Sequence, residues 1–141
     1  MTSNTTPSGV CASSSAYPNH DAYRAFGSGD WQSRNENGSA WLSYTFPSAI
    51  AVKKYKANSM HSAGDFVAHS FYFQAYENGS WINLDSLSVG NTSQANINRN
   101  IANLENKSYT AFRIYLGSPN MSYSNNAHCL SSVNIYGRVD V

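Results

Sequence analysis

The sequence predicts an all-β protein, an antiparallel sandwich or barrel, from two observations. Several short segments alternate apolar and polar residues with the period of two that is typical of a half-buried strand. Turn-forming residues separate these segments, most clearly Asn78-Gly79, a pair typical of a two-residue hairpin. Helical periodicity is nearly absent. Short strands with turns between them are typical of antiparallel sandwiches and barrels.

The predicted elements begin with a short helix within residues 18–26, which Asn19 or Asp21 could cap. The first clear strand, WLSYTF, covers 41–46 and places alternate side chains on opposite faces. We expect Pro47 to end this strand, because proline has no backbone donor for the ladder.

A second strand-like run follows at 52–57, and HSFYFQAY and WINLD then flank the Asn-Gly turn as the two arms of a hairpin. In the first arm Phe71, Phe73 and Ala75 are predicted to share one face. Three further strands are predicted at 96–101, 110–116 and 132–139.

The composition fits one globular domain with a sizeable core, since the chain has 141 residues of which 41% are hydrophobic. We expect residues 1–8 to be a tail or linker and residues 9–141 to be the domain. Charged residues make up 12%, the net charge is +1, and Lys and Arg are scattered. A groove for nucleic acid normally requires a basic face, so no nucleic-acid partner is expected. No apolar run approaches the length of a membrane helix.

The two cysteines, Cys11 and Cys129, stand near opposite ends of the chain. Either a disulfide or two buried thiols would fit them, and the sequence leaves both open. No Cys-x-x-Cys pair is present, so a zinc site is not expected. Six Asn-x-Ser/Thr sequons occur in a chain rich in these residues, so their glycosylation is left open.

The order of the segments resembles the discoidin family, also called the coagulation factor five/eight C-type domain. The matching segments are 12–26, Trp31, 41–59, 70–85, 111–116 and 130–137. The resemblance implies a galactose-binding-like jelly roll of eight to ten antiparallel strands, with the terminal strands adjacent.

Many members of this family hold calcium through an Asp directly after an Ala-Phe pair and through a Glu in the last strand. Here Gly27 follows the pair, Ser132 stands at the position of the Glu, and Asp30 is nearby but displaced. Calcium needs several oxygen ligands with carboxylates among them. We therefore expect no cofactor, and a tight calcium site is disfavoured.

In this fold the ligand usually meets loops at one end of the sandwich, which correspond here to 18–24, 31–39, 58–66 and 117–128. An aromatic ring can stack on a sugar, while His, Arg, Asn and acidic groups can take its hydroxyls. The candidate ligand-binding residues are His61, Arg34, Asn35, Tyr123, Met60, Glu36, Asn125 and His20. For each of them an ordinary structural or surface role is the alternative; for His20 capping or surface exposure is favoured. Trp31, Trp41 and Trp81 are expected to be structural.

The resemblance and these residues imply a non-catalytic, lectin-like module that attaches a larger protein to surface glycans. That protein would be a phage or bacterial fibre, of which a homotrimer is one form, or a secreted glycosidase. The location would be extracellular, at a cell surface or on a virion. An enzyme is not expected, because no pair of carboxylates and no Gly-x-Ser-x-Gly motif stands out.

Two alternatives remain at this point. A protein-binding or structural tip of an adhesive fibre should carry a broad apolar patch at the rim, where Asn and Ser dominate instead. A lipid-binding domain should expose apolar spikes beside basic residues. Met60, Phe66 and Met121 could be such spikes, but basic companions are few, so membrane binding is not expected.

Overall fold

The computed structural model of the chain describes residues 9–16, 18–27, 29–33, 39–60, 70–88, 94–102, 107–117 and 129–139. These residues form eight β-strands and one 3-10 helix, which confirms the all-β prediction. The strands are β1 Val10–Ser13, β2 Asp30–Gln32, β3 Ala40–Met60, β4 Ser70–Glu77, β5 Ser80–Ser88, β6 Gln94–Asn100, β7 Tyr109–Leu116 and β8 Cys129–Val139, and the 3-10 helix is Ala22–Phe26. The described residues contain no helix with the length and apolar character of a membrane span.

The strands form two antiparallel layers that share the 21-residue strand β3. The first part of β3 pairs with β1 and β7, which gives a first layer in the order β1-β3-β7-β4-β5. The second part pairs with β6 and β8, which gives a second layer in the order β6-β3-β8-β2. The predicted sandwich is therefore confirmed.

Pro47 does not end the strand that contains it, contrary to the sequence-based prediction. The strand β3 continues through Pro47 to Met60. The pairing register of β3 shifts between Thr45 and Ile50, so Pro47 stands where the ladder is already interrupted. A proline costs no hydrogen bond at such an irregularity, and the bend there carries β3 from the first layer into the second.

The core is centred on aromatic rings from both layers. Phe71, Phe73 and Ala75 are fully buried on one face of β4, as the alternation predicts. The ring of Phe73 stacks on Tyr55 of the second part of β3 at a centroid distance of 4.3 Å, and on Phe112 of β7 at 5.6 Å. These contacts hold the two layers face to face.

The terminal strands are not adjacent, which corrects the expectation from the resemblance. β1 pairs with Leu42–Thr45 of β3, whereas β8 pairs with the second part of the same strand. Cys11 and Cys129, one on each of these strands, are buried and no disulfide joins them. Burial raises the pKa of the Cys11 thiol to about 11, so this thiol stays protonated at neutral pH.

The local turn predictions have mixed outcomes. Asn78 and Gly79 both adopt positive φ, 50° and 83°, as the predicted two-residue hairpin requires. The predicted short helix is a single 3-10 segment with Asp21 at its N-cap position. Asp21 forms no side-chain cap hydrogen bond; its backbone carbonyl accepts from the amide of Arg24 instead, at 3.1 Å.

An ion pair at the edge of the sandwich joins the layers a second time. Asp85 of β5 accepts two hydrogen bonds from Arg99 of β6, at 2.9 and 3.0 Å, and a third from the buried hydroxyl of Tyr55 at 3.0 Å. Partial burial would raise the pKa of Asp85, but the hydrogen bonds from Arg99 and Tyr55 outweigh it and hold that pKa below its ordinary value.

The Asp85→Asn variant is expected to lower the free energy of unfolding by about 1 kcal/mol at neutral pH, because the charged hydrogen bonds to Arg99 are lost while Tyr55 keeps an acceptor. Since the pKa of Asp85 is lower in the folded state, this contribution is complete above the ordinary value of 3.8 and disappears as the pH falls through the folded-state value. Urea unfolding of both proteins at several pH values measures the difference. A gap that stays constant down to the most acidic pH would contradict this role.

Candidate functional site

The strand ends of the first layer meet at one end of the sandwich. β3 begins at Ala40, which pairs with Leu116 at the end of β7. Leu116 also pairs with Phe71, the second residue of β4, and Ser70 pairs with Ser88 at the end of β5. We call this end of the molecule the rim end.

The second layer contributes its own strand ends to the rim end. Met60, the last residue of β3, pairs with Gln94, the first residue of β6. Gln32, the last residue of β2, pairs with Cys129, the first residue of β8. The amide of Ser14 donates to the carbonyl of Trp41 in the first layer, and Nε1 of Trp31 in the second layer donates to the carbonyl of Ser15. Two adjacent residues thus contact both sets of strand ends, which lie on the same side.

Most of the candidate ligand-binding residues lie outside the described residues. These are Arg34, Asn35, Glu36, His61, Tyr123 and Asn125. Met60 ends β3, and its side chain lies outside the described part as well. The strand ends that flank residues 34–38, 61–69 and 118–128 nevertheless come together at the rim end, where the resemblance places the binding loops.

His20 is the one candidate whose side chain is described, and it belongs to a polar cluster at the rim end. Its Nδ1 lies 2.7 Å from Oδ1 of Asp30 at the start of β2. Oδ2 of Asp30 accepts from the amide of Gln32 at 3.0 Å and from the thiol of Cys129 at 3.4 Å. The backbone amide of Gln32 donates to the carbonyl of His20 at 3.3 Å, which fixes the chain beside β2.

The cluster keeps Asp30 ionised and orients His20. Partial burial would raise the pKa of Asp30, but the hydrogen bonds from Gln32, His20 and Cys129 outweigh it and hold that pKa below its ordinary value. A carboxylate at this position accepts the Nδ1 proton, which in neutral imidazole makes Nε2 the acceptor nitrogen. His20 is therefore a half-buried, oriented histidine rather than a helix cap, and its pairing with Asp30 is not recognisable from the sequence.

The described residues at this end do not resemble a calcium site. The oxygens of Asp30 are taken up by the His20 cluster. Ser132 is exposed on β8 with a φ of 51°, and its carbonyl accepts from the amide of Asn134. Among the described residues no group of three or more His, Cys, Asp or Glu side chains is placed to hold a metal ion.

The three tryptophans have different surroundings. Trp31 is fully buried, and its Nε1 donates to the carbonyl of Ser15 at 2.8 Å, so it anchors the chain between β1 and β2 as a structural residue. Trp41 and Trp81 belong to strands of the first layer, as expected, but they are only partly buried and do not lie in the core.

An apolar groove lies beside the first part of β3 and the middle of β8. Its volume is about 170 Å³ and its lining residues are Phe26, Tyr44, Phe46, Val133, Asn134 and Ile135. His20, the candidate whose side chain is described, does not line it. The groove is not recognisable from the sequence, because its walls come from elements far apart in the chain.

Solved structures with a similar fold include carbohydrate-binding modules. A chitosan-binding module 2 in complex with chitotriose, from a chitosanase/glucanase of Paenibacillus sp. IK-5, is 17% identical with a TM-score of 0.70 over 92% of this chain and 96% of that one. A family 32 module from Clostridium perfringens NanJ in complex with galactose is 11% identical, with a TM-score of 0.69 over 90% and 92% of the two chains.

A further module from Clostridium perfringens, in complex with GalNAc-β-1,3-galactose, is 8% identical with a TM-score of 0.73 over 92% of this chain and 95% of that one. No protein-family model and no curated protein matches the chain. At these identities the likeness establishes the fold, and it confirms the galactose-binding-like sandwich of discoidin type that the resemblance implies.

Proposed function

We propose that this domain is a non-catalytic carbohydrate-binding module that recognises a glycan at its rim end. The observation that carries the proposal is the convergence of strand ends: those flanking residues 34–38, 61–69 and 118–128 meet there from both layers. Each of these segments contains a residue suited to a sugar, namely Arg34, His61 or Tyr123. The proposal is supported by the similar structures named for chitosan binding or solved with galactose.

In this proposal Tyr123 offers a ring for stacking on the apolar face of a sugar, while Arg34 and His61 direct hydrogen bonds to its hydroxyls. Asn35, Glu36 and Asn125 supply further polar groups, and Met60 supplies an apolar contact. His20 contributes from the edge of the site, because Asp30 fixes the orientation of its ring.

The module would act as the attachment part of a larger protein outside the cell. A single shallow sugar site binds weakly, and tethering several such sites raises the effective affinity without new contacts. A fibre on a phage or bacterium, trimeric in the simplest case, or a secreted glycosidase would supply that multivalency. No catalytic role is assigned to the domain itself.

The His61→Ala variant is expected to weaken binding about 5- to 150-fold, the equivalent of the 1–3 kcal/mol that an unpaired ligand polar group costs. Tyr123→Ala should weaken it as well, through loss of the stacking surface. A glycan array would identify a sugar, and calorimetry on that sugar would measure both variants. His69→Ala is the matched control, because it also removes a histidine but from a position with no proposed role, and it should bind as tightly as the wild type.

The hydrogen-bonding role of His61 determines how the affinity for the sugar should depend on pH. If its neutral ring accepts a hydroxyl proton, the affinity falls as the pH drops below about 6.5, the ordinary pKa of histidine. Unchanged affinity in both His61→Ala and Tyr123→Ala would place the site elsewhere. An array with no binding to any glycan would remove the sugar hypothesis.

A further inference from the structure

The outer face of the first layer presents aromatic rings on adjacent strands. Trp41 of β3 pairs in register with Tyr115 of β7, and Tyr115 pairs with Tyr72 of β4. The inward neighbours of these three residues are buried in the core, so the three side chains project outward. With neighbouring strands about 4.8 Å apart, the row spans roughly 10 Å across the sheet.

A second row on the same outer face surrounds one arginine. The guanidinium of Arg113 lies 4.5 Å from the ring centre of Trp81 and 5.1 Å from that of Tyr115. Its Nε donates to the side-chain carbonyl of Gln74, and the amide of Gln74 donates to the side-chain carbonyl of Asn83 at 2.7 Å. The guanidinium therefore lies close to two aromatic rings, and the bond to Gln74 uses only one of its nitrogens.

Among the described residues, no carboxylate forms an ion pair with Arg113. The ion pairs of the described residues are His20–Asp30, Arg99–Asp85 and Lys107–Glu77, and none of them includes Arg113. The two rings cover part of the guanidinium, so less water has to be displaced when an anion binds to it. Burial also lowers the pKa of Arg113.

We propose that the outer face is a second binding surface, which takes an extended chain of an acidic polysaccharide. Arg113 would pair with a carboxylate or sulfate of the chain through its planar fork of donors. Trp81, Tyr115 and Tyr72 would stack against the apolar faces of neighbouring sugar rings. This site lies on the outer face of the first layer, beginning one residue from the pairs that define the rim end, and it uses none of the residues proposed for the rim site, so it goes beyond the function proposed above.

Charge complementarity favours this occupant over a second copy of the chain. A two-fold contact through this face would set each Arg113 against a surface whose described residues provide it with no carboxylate, and both cations would stay unpaired. An apolar protein partner would likewise have to cover the polar row of Gln74, Asn83 and Arg113. An anionic sugar chain satisfies both the rings and the arginine.

Affinity electrophoresis in native gels tests the proposal with three polymers in the gel: polygalacturonate, which carries carboxylates, heparin, which adds sulfates, and dextran, which is neutral. The wild-type domain is expected to be retarded by at least one acidic polymer and not by dextran, and added salt should weaken the retardation. Arg113→Gln should reduce the affinity at least tenfold. Arg113→Lys should lose several-fold, because it keeps the charge but lacks the planar, stacked fork.

Lys54→Gln is the matched control. Lys54 lies 5.5 Å from the ring centre of Tyr136, so it is also a cation over an exposed tyrosine, but it belongs to the second layer. Its replacement removes the same unit of charge and should leave the retardation unchanged. Because Arg113→Gln could disturb the sheet, thermal melting of each variant precedes the gels, and Arg113→Lys carries the test if Arg113→Gln fails to fold.

Several outcomes would overturn the proposal: no retardation by either acidic polymer, equal retardation by dextran, or an equal loss in Lys54→Gln, which would indicate a general charge effect. A wild-type dimer in sedimentation that Arg113→Gln dissociates would assign the face to a second copy instead. His61→Ala should leave this retardation unchanged, so a failure here leaves the rim site standing and a failure at the rim leaves this one.

Discussion

Replacing Phe73 with alanine is expected to lower the free energy of unfolding by about 3–5 kcal/mol. The Phe73 side chain is fully buried, and its ring lies between Tyr55 and Phe112, with interplanar angles of 6° and 13°. Truncation removes the apolar surface of the ring and leaves a cavity between two rings that belong to different layers. Because those rings are fixed by β3 and β7, the site can collapse only in part.

Chemical denaturation followed by circular dichroism would measure this loss. Tyr72→Ala is the matched control, because Tyr72 is the preceding residue on the same strand but its ring faces outward, 6.2 Å from that of Tyr115. We expect that variant to lose less than about 1 kcal/mol. Similar losses in Phe73→Ala and Tyr72→Ala would show that the contact between the layers does not depend on the Phe73 stack.

The features that the sequence predicts correctly are those that depend on residues close together in the chain. Alternation in residues 69–76 identifies Phe71, Phe73 and Ala75 as buried, and the Asn78-Gly79 turn fixes the hairpin, because both signals lie within a few residues. The resemblance adds the sandwich through the order of such segments. Neither signal requires knowledge of distant partners.

The features that the sequence analysis missed depend on which strands pair. Proline usually ends a strand because it has no backbone donor. β3 nevertheless continues through Pro47, because the strand that pairs with it changes from β7 to β8 at that bend. The prediction that the terminal strands are adjacent is wrong for the same reason, because β1 and β8 pair with different parts of β3. The alternation of apolar and polar residues predicts which face of the sheet a side chain occupies. It does not predict which strand pairs with that segment.

The same limit applies to the functional residues. Residue types suited to sugars can be found in the loops, but the pairing of His20 with Asp30 depends on the path of the chain between β1 and β2. Arg113 and Trp81 stand on β7 and β5, with β4 between them, so only the sheet order brings them together. The outer face was therefore not predictable from the segments taken one at a time.

Gly137 in the closing strand packs closely against β3, and Gly137→Val is expected to lower the free energy of unfolding by about 3 kcal/mol. Gly137 pairs with Val52, and the register of β3 shifts directly after that residue, so the two backbones approach closely at this irregularity. A Cβ at this position would lie 2.5 Å from Cγ2 of Ile50 and 2.6 Å from the carbonyl oxygen of Ala51. The backbone oxygen cannot rotate away as a side chain can, so β8 would have to move from β3 or lose ladder hydrogen bonds.

The measurement is again chemical denaturation, with Gly137→Ala as an intermediate step that should lose about 1–2 kcal/mol. Gly79→Asn is the control, since a Cβ there meets nothing within 4 Å, and asparagine tolerates the positive φ of 83° that the hairpin turn imposes. We expect Gly79→Asn to lose less than about 1 kcal/mol. If Gly137→Val were as stable as the wild type, β8 would not approach β3 this closely; if both glycine variants lost equally, the cost would come from chain flexibility rather than from contact. A graded loss from Gly137→Ala to Gly137→Val, with little change in Gly79→Asn, would assign the cost to the close approach of the two strands.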